Sequence, residues 1–482
     1  MPDGVVNHVV IVGNGPAAHR LVQRLHHYGH RGTVTVLGDE HRPAYHRPLL
    51  TYALDGSVPA AALTLPPLPE PARVRLGVRV VAIDRRRQLV HTTSRAGTTA
   101  LRYDTLVLAT GAQPRVPDIT GVRHHDRTLA PGVRSLRTLD DCAPFPGATV
   151  VVGGGVLGAE AAAALRRRGA EVLLVHDGPH PMHRHLDAEV GQLLARWLEE
   201  LGVEVRGGRT VVAYEPGKSV LDDGSAVRTD NLLLCTGMRP ETRLASAAGI
   251  TVRTGVVVDA FLRTDDPRIH AIGDCAEPPA GSRGTVAAAW EQAEVLAALL
   301  TGHDARYEGT RAPVRPRLPG ADLAFMGESR RPPGEREGTR TVTFTFTDRA
   351  GRRYARLTLE DHRVLGAVLF GLPEAAAAVG QWYAQGRPVP SDRLELLLGA
   401  AAVPRGEDEL PGDAVLCHCN HVTKGELLRA WHACAGQWAA LVETTHATTG
   451  CGTCKETVRG LCADASVRAA VQPPANVPEE VA

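Results

Sequence analysis

Short runs of valine, isoleucine and leucine alternate with alanine-, leucine- and arginine-rich stretches over residues 5–300. This alternation is typical of βαβ units built on parallel sheets. One strand-like run begins at Val9 and a second at Val150, and each leads into a glycine-rich turn and then a helix-like stretch. The pattern therefore predicts an α/β fold with two successive sheet systems.

The pattern changes after this region. Residues 311–319 are rich in proline and arginine, and residues 341–346 and 356–359 alternate polar and apolar side chains. Such alternation predicts strands with one buried face. We interpret residues 311–403 as a small α+β domain.

A charged stretch bounded by proline and glycine, residues 404–413, follows this domain. Its composition predicts a linker to a cysteine-rich region over residues 414–466. Residues 467–482 contain a proline pair and a glutamate pair and predict a flexible tail.

Composition and charge narrow the function. At 482 residues and 51.3 kDa, the chain is long enough for about three or four domains. Its 43% hydrophobic content excludes a disordered chain, and the net charge of +1 gives no reason to expect a nucleic-acid partner. The sequence has no uncharged apolar stretch of about 18 residues, and its first strand-like run starts too early for a signal peptide. We expect a cytoplasmic protein with no membrane partner.

The first glycine turn, residues 13–18, has the pattern G-x-G-x-x-A. It lies between a strand-like run and a helix predicted over residues 17–28. Gly13 permits a tight turn, Gly15 lets the backbone approach a pyrophosphate, and Ala18 allows close packing of helix and strand.

The next strand-like run, residues 33–37, ends at Gly38-Asp39-Glu40. An acidic side chain at this point can accept hydrogen bonds from a ribose, so Asp39 and Glu40 are candidate ligands. A solvated turn is the alternative for either residue.

The second glycine turn, residues 153–158, has the pattern G-x-G-x-x-G and precedes a helix predicted over residues 159–168. Gly153, Gly155 and Gly158 have the same three roles as the small residues of the first turn. Two such turns predict two bound dinucleotides, and a glycine turn without a ligand is the alternative for each.

Three further segments stand in a recognisable order: residues 103–112, which end in Ala-Thr-Gly-Ala, residues 234–240, and residues 269–276, which contain Gly-Asp. Together with the glycine turns they resemble the pyridine nucleotide–disulfide oxidoreductase superfamily over residues 5–300. That resemblance implies two nested Rossmann-like nucleotide-binding domains. An FAD-binding domain would comprise residues 1–118 and 240–310, interrupted by an NAD(P)H-binding domain at residues 119–239.

The resemblance also implies further cofactor contacts. Thr110 and Gly111 would lie where the chain crosses between the two domains, and Gly237 would close the NAD(P)H-binding domain. Gly273 and Asp274 belong to the second FAD motif, in which the aspartate accepts hydrogen bonds from the ribityl hydroxyls.

The cysteines and residues 42–51 indicate the branch of the superfamily. Disulfide reductases carry a C-x4-C pair soon after the first βαβ unit, but this chain has no cysteine before Cys142. Residues 42–51 resemble the PYxRPxLS segment of ferredoxin-reductase-like and nitrite-reductase-like flavoproteins. That resemblance places Arg47 near the flavin. Tyr52 stands where ferredoxin reductases often have lysine, which makes the ferredoxin-reductase assignment the weaker of the two.

Four cysteines form two close pairs, Cys417 with Cys419 and Cys451 with Cys454. Thiolates two or three residues apart can bind one ion or cluster, and two such pairs complete four sulfur ligands. Spacing alone leaves structural zinc as an alternative, because zinc also takes four thiolates.

The residues around these pairs, 416–427 and 448–455, resemble bacterioferritin-associated ferredoxin domains. The resemblance implies a small helical [2Fe–2S] domain over residues 414–466. Cys434 and Cys462 lie outside the pairs and are interpreted as buried free thiols.

The implied cofactors form an electron path from NAD(P)H through FAD to the cluster and an external acceptor, so no protein nucleophile is required. Glu160 is a candidate contact at the nicotinamide–flavin interface, and a carboxylate that stabilises the helix N-terminus is the alternative. Asp177 would hydrogen-bond a ribose and repel a 2′-phosphate, which favours NADH. His176 stands where glutamate is often found and leaves NADPH open.

The order of domains resembles the electron-transfer subunits of assimilatory nitrate reductases and the front part of NADH nitrite reductase large subunits. The first resemblance implies a separate nitrate reductase catalytic subunit as partner. The sequence lacks a C-x5-C with C-x3-C pattern for sirohaem and [4Fe–4S] centres, so we expect no nitrite reduction on this chain alone.

Two other functions remain open from the sequence. An NAD(P)H–ferredoxin or rubredoxin reductase would have another redox protein as partner. An iron-mobilising electron-relay module would dock on an iron-storage protein. The sequence predicts no particular oligomeric state.

Overall fold

A computed structural model describes residues 7–126, 128–281, 284–329, 341–390, 412, 414–417, 422–448 and 454–471. Contacts within the chain define two compact units, Met1–Ala402 and Val403–Ala482. Of the predicted linker, only Gly412 is among the described residues. Helix continues to Val471, inside the region predicted as a tail.

The elements of the first 115 residues follow in chain order: β1 (His8–Val12), α1 (Pro16–His27), β2 (Thr33–Gly38), α2 (Leu50–Asp55), β3 (Arg73–Leu76), β4 (Arg79–Asp84), β5 (Leu89–Ser94), β6 (Gly97–Arg102), β7 (Thr105–Leu108) and β8 (Ala112–Pro114).

The next elements extend to residue 300: β9 (Val133–Ser135), β10 (Ala148–Val152), α3 (Val156–Arg167), β11 (Glu171–His176), α4 (Ala188–Glu200), β12 (Glu204–Gly207), β13 (Val211–Glu215), β14 (Gly217–Leu221), β15 (Ala226–Thr229), β16 (Asn231–Leu234), β17 (Met238–Pro240), α5 (Arg243–Ala247), β18 (Val256–Val257), β19 (Ile269–Ala271), β20 (Ala276–Glu277) and α6 (Val286–Leu300).

The first parallel sheet has the strand order β19-β7-β1-β2-β3, with β1 in the middle. Strand β1 is apolar and buried from Val9 to Val12, because both of its faces are covered there. Helix α1 buries Ala18, Leu21, Val22 and Leu25, a spacing that places them on one helical face. That face packs beside α6 over the sheet.

The second parallel sheet repeats this plan with the order β12-β11-β10-β16-β9. Helix α3 starts at Val156, earlier than the predicted 159, because Gly155 already serves as its N-cap. Strands β8 and β17 pair antiparallel. Strand β8 lies where the chain leaves the first sheet system and β17 lies where it returns, so this pairing holds the two crossing segments together. The two parallel sheets confirm the predicted α/β class with nested Rossmann-like folds.

Two smaller antiparallel sheets accompany these systems. One contains β4, β5 and β6, and the other contains β13, β14 and β15.

A four-stranded antiparallel sheet follows, with the order β21-β24-β23-β22. Its elements are β21 (Leu323–Gly327), β22 (Thr341–Asp348), β23 (Arg353–Glu360), β24 (Arg363–Phe370) and α7 (Pro373–Gln385). Helix α7 packs on β24, and Val379 and Tyr383 are buried in their common core. Both predicted alternating strands are present and are longer than expected.

The second unit is mostly helical. Its elements are β25 (Val415–Cys417), β26 (Val422–Thr423), α8 (Lys424–Ala433), α9 (Trp438–Thr445) and α10 (Lys455–Val471). Helix α8 begins with a capping box in which Thr423 and Glu426 each bind the other's backbone N–H. Leu427, Leu441 and Val458 are fully buried at the centre. Within the described ranges, no helix is both long enough and apolar enough to cross a membrane.

Candidate functional site

The first glycine turn fits closely against the strand that neighbours β1. Gly13 has φ +110°, and a Cβ added there would lie 2.2 Å from the carbonyl oxygen of Ala109. Gly15 is the N-cap of α1 and has no side chain to occupy the first-turn N–H groups. These groups and the helix dipole can therefore receive an anion such as a pyrophosphate. Ala18 is fully buried between helix and sheet.

The two candidate acids after β2 have different surroundings. Glu40 forms an ion pair with Arg47, and Tyr45 Oη donates to Glu40 Oε2 at 2.9 Å. Asp39 instead pairs with Arg79 at 2.9 Å, and more than half of each of these two side chains is exposed. Glu40 thus lies with Arg47 and Tyr45, whereas Asp39 lies at the surface.

Arg47 reaches over the first glycine turn, where its Nε lies 3.9 Å from the position of a Cβ on Gly15. Its Nη1 donates to Tyr45 Oη at 2.9 Å and to the carbonyl oxygen of Arg137 at 3.0 Å. Burial raises the pKa of Tyr45, so this phenol remains a neutral partner.

Arg137 also binds the Gly-Asp segment that follows β19, because its Nη2 donates to Asp274 Oδ2 at 2.9 Å. The same nitrogen lies 3.7 Å from the position of a Cβ on Gly111. Sequence reasoning missed Arg137. Asp141 accepts hydrogen bonds from the N–H groups of Arg137 and Thr138 and fixes the turn after β9, but this local pattern does not indicate the contact with Asp274.

Two other predicted residues of this site have structural hydrogen bonds. The hydroxyl of Thr110 donates to the carbonyl oxygen of Glu241 at 2.8 Å, which holds the two crossing segments together. Gly273 has φ +76°, and its N–H donates to the buried Gln292 at 2.7 Å.

The second glycine turn is tighter than the first. Gly153 also has φ +110°, and a Cβ there would lie 2.5 Å from the carbonyl oxygen of Cys235. A Cβ on Gly158 would lie 1.7 Å from the carbonyl oxygen of Gly153. Gly155 is the N-cap of α3, and Gly237, with φ +95°, has open space around it. This turn can receive a second pyrophosphate.

The end of β11 presents one acid. His176 is buried beside Gly154, where a Cβ would lie 2.7 Å from the His176 Cβ. Burial lowers the pKa of His176 and keeps the ring neutral at neutral pH. Asp177 is exposed, so it supplies the negative charge at this end of the strand.

Glu160 is buried within α3 and does not act as a solvated helix-terminus carboxylate. It accepts a hydrogen bond from the backbone N–H of Arg317 at 2.8 Å. Burial raises the pKa of Glu160, and the charge of Arg317 opposes this effect. Sequence reasoning missed Arg317, which lies far along the chain and in no recognisable motif.

In the second unit, Cys417 ends β25 and Cys454 immediately precedes α10. Both are buried in the same core. Cys419 and Cys451 lie outside the described residues. The described pair matches a thiolate site that needs ligands from two separate turns.

Cys434 and Cys462 also belong to this core. Cys462 is buried as expected, while Cys434 is only half-buried. Burial, helped by the neighbouring Cys434, raises the pKa of Cys462 to about 11.

Comparison with protein families identifies the class. Residues 7–293 match the model of the pyridine nucleotide-disulphide oxidoreductase family, and residues 415–464 match the BFD-like [2Fe-2S] binding domain. The chain belongs to the pyridine nucleotide-disulphide oxidoreductase family. It is an NAD(P)H-dependent flavoprotein reductase with a [2Fe–2S] domain, and its cofactors are FAD, NAD(P)H and that cluster.

Similarity to curated relatives extends along almost the whole chain. The NADH nitrite reductase large subunit of Escherichia coli K12 is 32% identical over 466 residues, which cover 92% of this chain and 54% of the relative. The assimilatory nitrate reductase electron transfer subunit of Bacillus subtilis 168 is 28% identical over 94% of this chain and 59% of the relative. The chain thus spans little more than half the length of these relatives.

A solved structure has the same fold. The covalent putidaredoxin reductase–putidaredoxin complex superposes with a TM-score of 0.71 and 28% identity, covering 84% of this chain and 100% of the solved chain.

Proposed function

We propose that this protein passes electrons from NADH through FAD and the [2Fe–2S] cluster to a separate catalytic subunit of an assimilatory nitrate reductase. The observation that carries the proposal is the presence of both family regions in one chain. In addition, 94% of this chain is similar to an electron transfer subunit. When bound, the nicotinamide supplies a hydride, the flavin accepts two electrons, and the cluster carries one at a time.

The first glycine turn and its surroundings would hold FAD. Backbone N–H groups at the start of α1 would bind the pyrophosphate, Glu40 the ribose, and Asp274 the ribityl chain. Arg47 and Arg137 would orient these acids, because each arginine binds one of them directly. The complete set proposed for FAD is Gly13, Gly15, Ala18, Glu40, Arg47, Thr110, Gly111, Arg137, Gly273 and Asp274. Asp39 is left out of this set, because it pairs with Arg79 at the surface.

The second glycine turn would hold NADH. Gly153, Gly155 and Gly158 would surround its pyrophosphate, and Asp177 would select against a 2′-phosphate by charge repulsion. Gly237 would border the same site, where its open surroundings leave room for a ligand.

The isolated cysteines support a path that uses no protein thiol. Burial raises the pKa of both Cys142 and Cys235 to about 12. Burial likewise raises the pKa of Cys275. Because the thiolate is the reactive form, these three groups are poor candidates for a redox-active disulfide at neutral pH.

Reconstitution with purified nitrate reductase catalytic subunit tests the proposal. NADH and nitrate should yield nitrite only when both proteins are present. Cys417→Ala should remove the cluster and this coupling but retain NADH reduction of the flavin, because Cys417 lies in the separate second unit. Cys434→Ser is the matched control, since Cys434 is in the same unit but outside both cysteine pairs.

Equal nitrate reduction by the Cys417→Ala variant and the unsubstituted protein would refute the cluster as the relay. A ferredoxin or rubredoxin reductase is the second candidate, favoured by the similarity to putidaredoxin reductase. Rapid reduction of an added ferredoxin, with no coupling to the nitrate reductase subunit, would select it.

A further inference from the structure

Glu160 lies where the elements that carry the two glycine turns meet. It is part of α3, which starts at the second glycine turn and packs against α2. Helix α2 follows shortly after Arg47, the residue that reaches over the first glycine turn. The hydroxyl of Thr51, in α2, is near enough to lower the pKa of Glu160. Glu160 therefore stands between the two nucleotide sites.

The carboxylate of Glu160 has lost nearly all contact with water, because only 4% of the residue is exposed. The backbone N–H of Arg317 donates to its Oε1 at 2.8 Å, and Arg317 Nη1 lies 3.5 Å from the same oxygen. A carboxylate this deeply buried stays ionised only where a counter-charge and hydrogen-bond donors replace the lost water.

Within the described part of the chain, the other groups that interact with Glu160 carry no positive charge. Thr51 offers a hydroxyl, and Cys235 offers a thiol whose pKa is raised by burial and further by Glu160 itself. Asp55, at the end of α2, forms its ion pair with Arg167. Among the residues that the structure describes, Arg317 is the cation that interacts with Glu160.

Arg317 lies outside both nucleotide motifs. It is on the connector from α6 to β21, which leads into the four-stranded antiparallel sheet. We propose that Arg317 is a positioning residue for hydride transfer, which holds Glu160 ionised and in place between the nicotinamide and flavin sites. The inference rests on the proposed placement of FAD and NADH at the two glycine turns, but it is independent of the electron acceptor.

This role follows from hydrogen-bond chemistry. An ionised carboxylate accepts hydrogen bonds at both oxygens, so Glu160 can receive the amide of a nicotinamide. A protonated carboxyl group loses part of this capacity. Arg317 would thus affect nicotinamide binding through the protonation state of Glu160.

The first test measures the thermal stability of the FAD-loaded protein as a function of pH. Unfolding is monitored by the rise in fluorescence as FAD is released. Arg317→Leu removes the charge but retains the backbone N–H. The folded-state pKa of Glu160 should then rise further above its unfolded value of about 4.3. The folded protein would hold a proton that the unfolded chain releases, so stability should fall as pH rises through this interval.

The expected result is a deficit in Tm for Arg317→Leu that grows between about pH 5 and pH 8. In the Arg317→Lys variant the Tm deficit should change much less with pH, because lysine retains the charge. Arg311→Leu is the control on the same connector, because Arg311 donates to the carbonyl oxygens of Tyr383 and Val364, and any deficit it causes should not change with pH. If Arg317→Leu does not fold, Arg317→Gln replaces it in the same comparison.

The second test is the binding of NAD⁺ to the oxidised protein at several pH values. At about pH 7, Arg317→Leu should bind NAD⁺ more weakly, by up to about tenfold for each unit by which the pKa of Glu160 rises. The difference should shrink towards acidic pH, where Glu160 becomes protonated in both proteins. In a Glu160→Gln background, the Arg317 substitution should produce no pH-dependent effect.

A Tm deficit that is constant with pH would overturn the inference and leave Arg317 with a packing role. A pH-dependent deficit that remains in the Glu160→Gln background would do the same. Neither readout uses an electron acceptor. Failure of the proposed nitrate reductase coupling would consequently leave both results unchanged.

Discussion

The first and second glycine turns place the same backbone against the same kind of neighbour. Gly13 and Gly153 share φ +110°, and a Cβ at either would lie 2.2 or 2.5 Å from the carbonyl oxygen of a residue that follows the adjacent strand. Both helices have glycine as N-cap. The strand–turn–helix geometry therefore excludes a side chain at this point, whichever dinucleotide is bound.

The turns differ in how closely helix and strand approach. Ala18 fits its place in α1 with its side chain fully buried. The corresponding Gly158 has no such room, because a Cβ would lie 1.7 Å from the carbonyl oxygen of Gly153. The second turn is therefore the less tolerant of the two.

Their acidic residues differ as well. At the first turn, Glu40 is already held by Arg47 and Tyr45. At the second turn, Asp177 is exposed next to a buried, neutral His176. Glu40 is therefore held in place without a ligand, whereas Asp177 is accessible and can discriminate between ligands.

Substitution of the first glycine in each turn should have the largest effect and should separate the two cofactors. Gly13→Ala should lose FAD, whereas Gly153→Ala should retain FAD but lose its reduction by NADH. The clash with a carbonyl and the left-handed φ each oppose a side chain, together by about 3 kcal/mol, or roughly a hundredfold. Flavin absorbance of the purified variants and stopped-flow reduction by NADH measure these outcomes.

Matched controls follow the same helices. Gly29 and Gly169 also have positive φ, at +75° and +89°, but open space surrounds both. Their alanine variants should cost only about 1–2 kcal/mol of left-handed strain and should retain both reactions. Loss of FAD from Gly153→Ala would contradict the assignment of one cofactor to each turn.

An exchange at the third small residue should have the next largest effect. Gly158→Ala should destabilise the second turn by about 1–3 kcal/mol through overpacking and weaken NADH binding. Ala18→Gly should cost about 1 kcal/mol of helix stability and leave FAD bound. Thermal unfolding and NAD⁺ titration provide the comparison, and equal effects of the two exchanges would show that the turns have the same clearance.

The parts of this site that the sequence predicts are local. The residues of each turn, and those after the strand that follows it, lie within a single βαβ unit, where strand period, turn and helix fix their relative positions. The crossing segment at Thr110 and the motif at Asp274 are likewise short and contiguous.

Arg137 and Arg317 could not be predicted in the same way. Arg137 reaches Asp274 from a loop of the other sheet system, and Arg317 reaches Glu160 from the connector beyond α6. No periodicity or spacing records such contacts, because they arise from tertiary packing between distant segments. The cysteine pairs were predicted from spacing, yet Cys419 and Cys451 lie outside the described residues and stay predictions.

Asp177→Asn should have a smaller effect, on selectivity alone. Removal of the exposed negative charge should raise the efficiency of NADPH relative to NADH by roughly tenfold, about 1.4 kcal/mol, because a 2′-phosphate is no longer repelled. Glu199→Gln, on the exposed surface of α4, is the control. Stopped-flow flavin reduction with each nucleotide measures the ratio, and an unchanged ratio would assign selectivity to another residue.

The smallest effect should come from Asp39, and it separates the two acids of the first turn. The ion pair of Asp39 with Arg79 is more than half exposed on both sides, and such pairs typically contribute well under about 1 kcal/mol. Asp39→Asn should therefore leave FAD affinity and Tm almost unchanged. Glu40→Gln should weaken FAD binding measurably, because it removes the counter-charge of Arg47 beside the first glycine turn. Equilibrium dialysis of FAD against both variants makes the comparison. If Asp39→Asn lost FAD as readily as Glu40→Gln, Asp39 would have to leave Arg79 and bind the ribose itself, and the first turn would then present an accessible acid like that of the second.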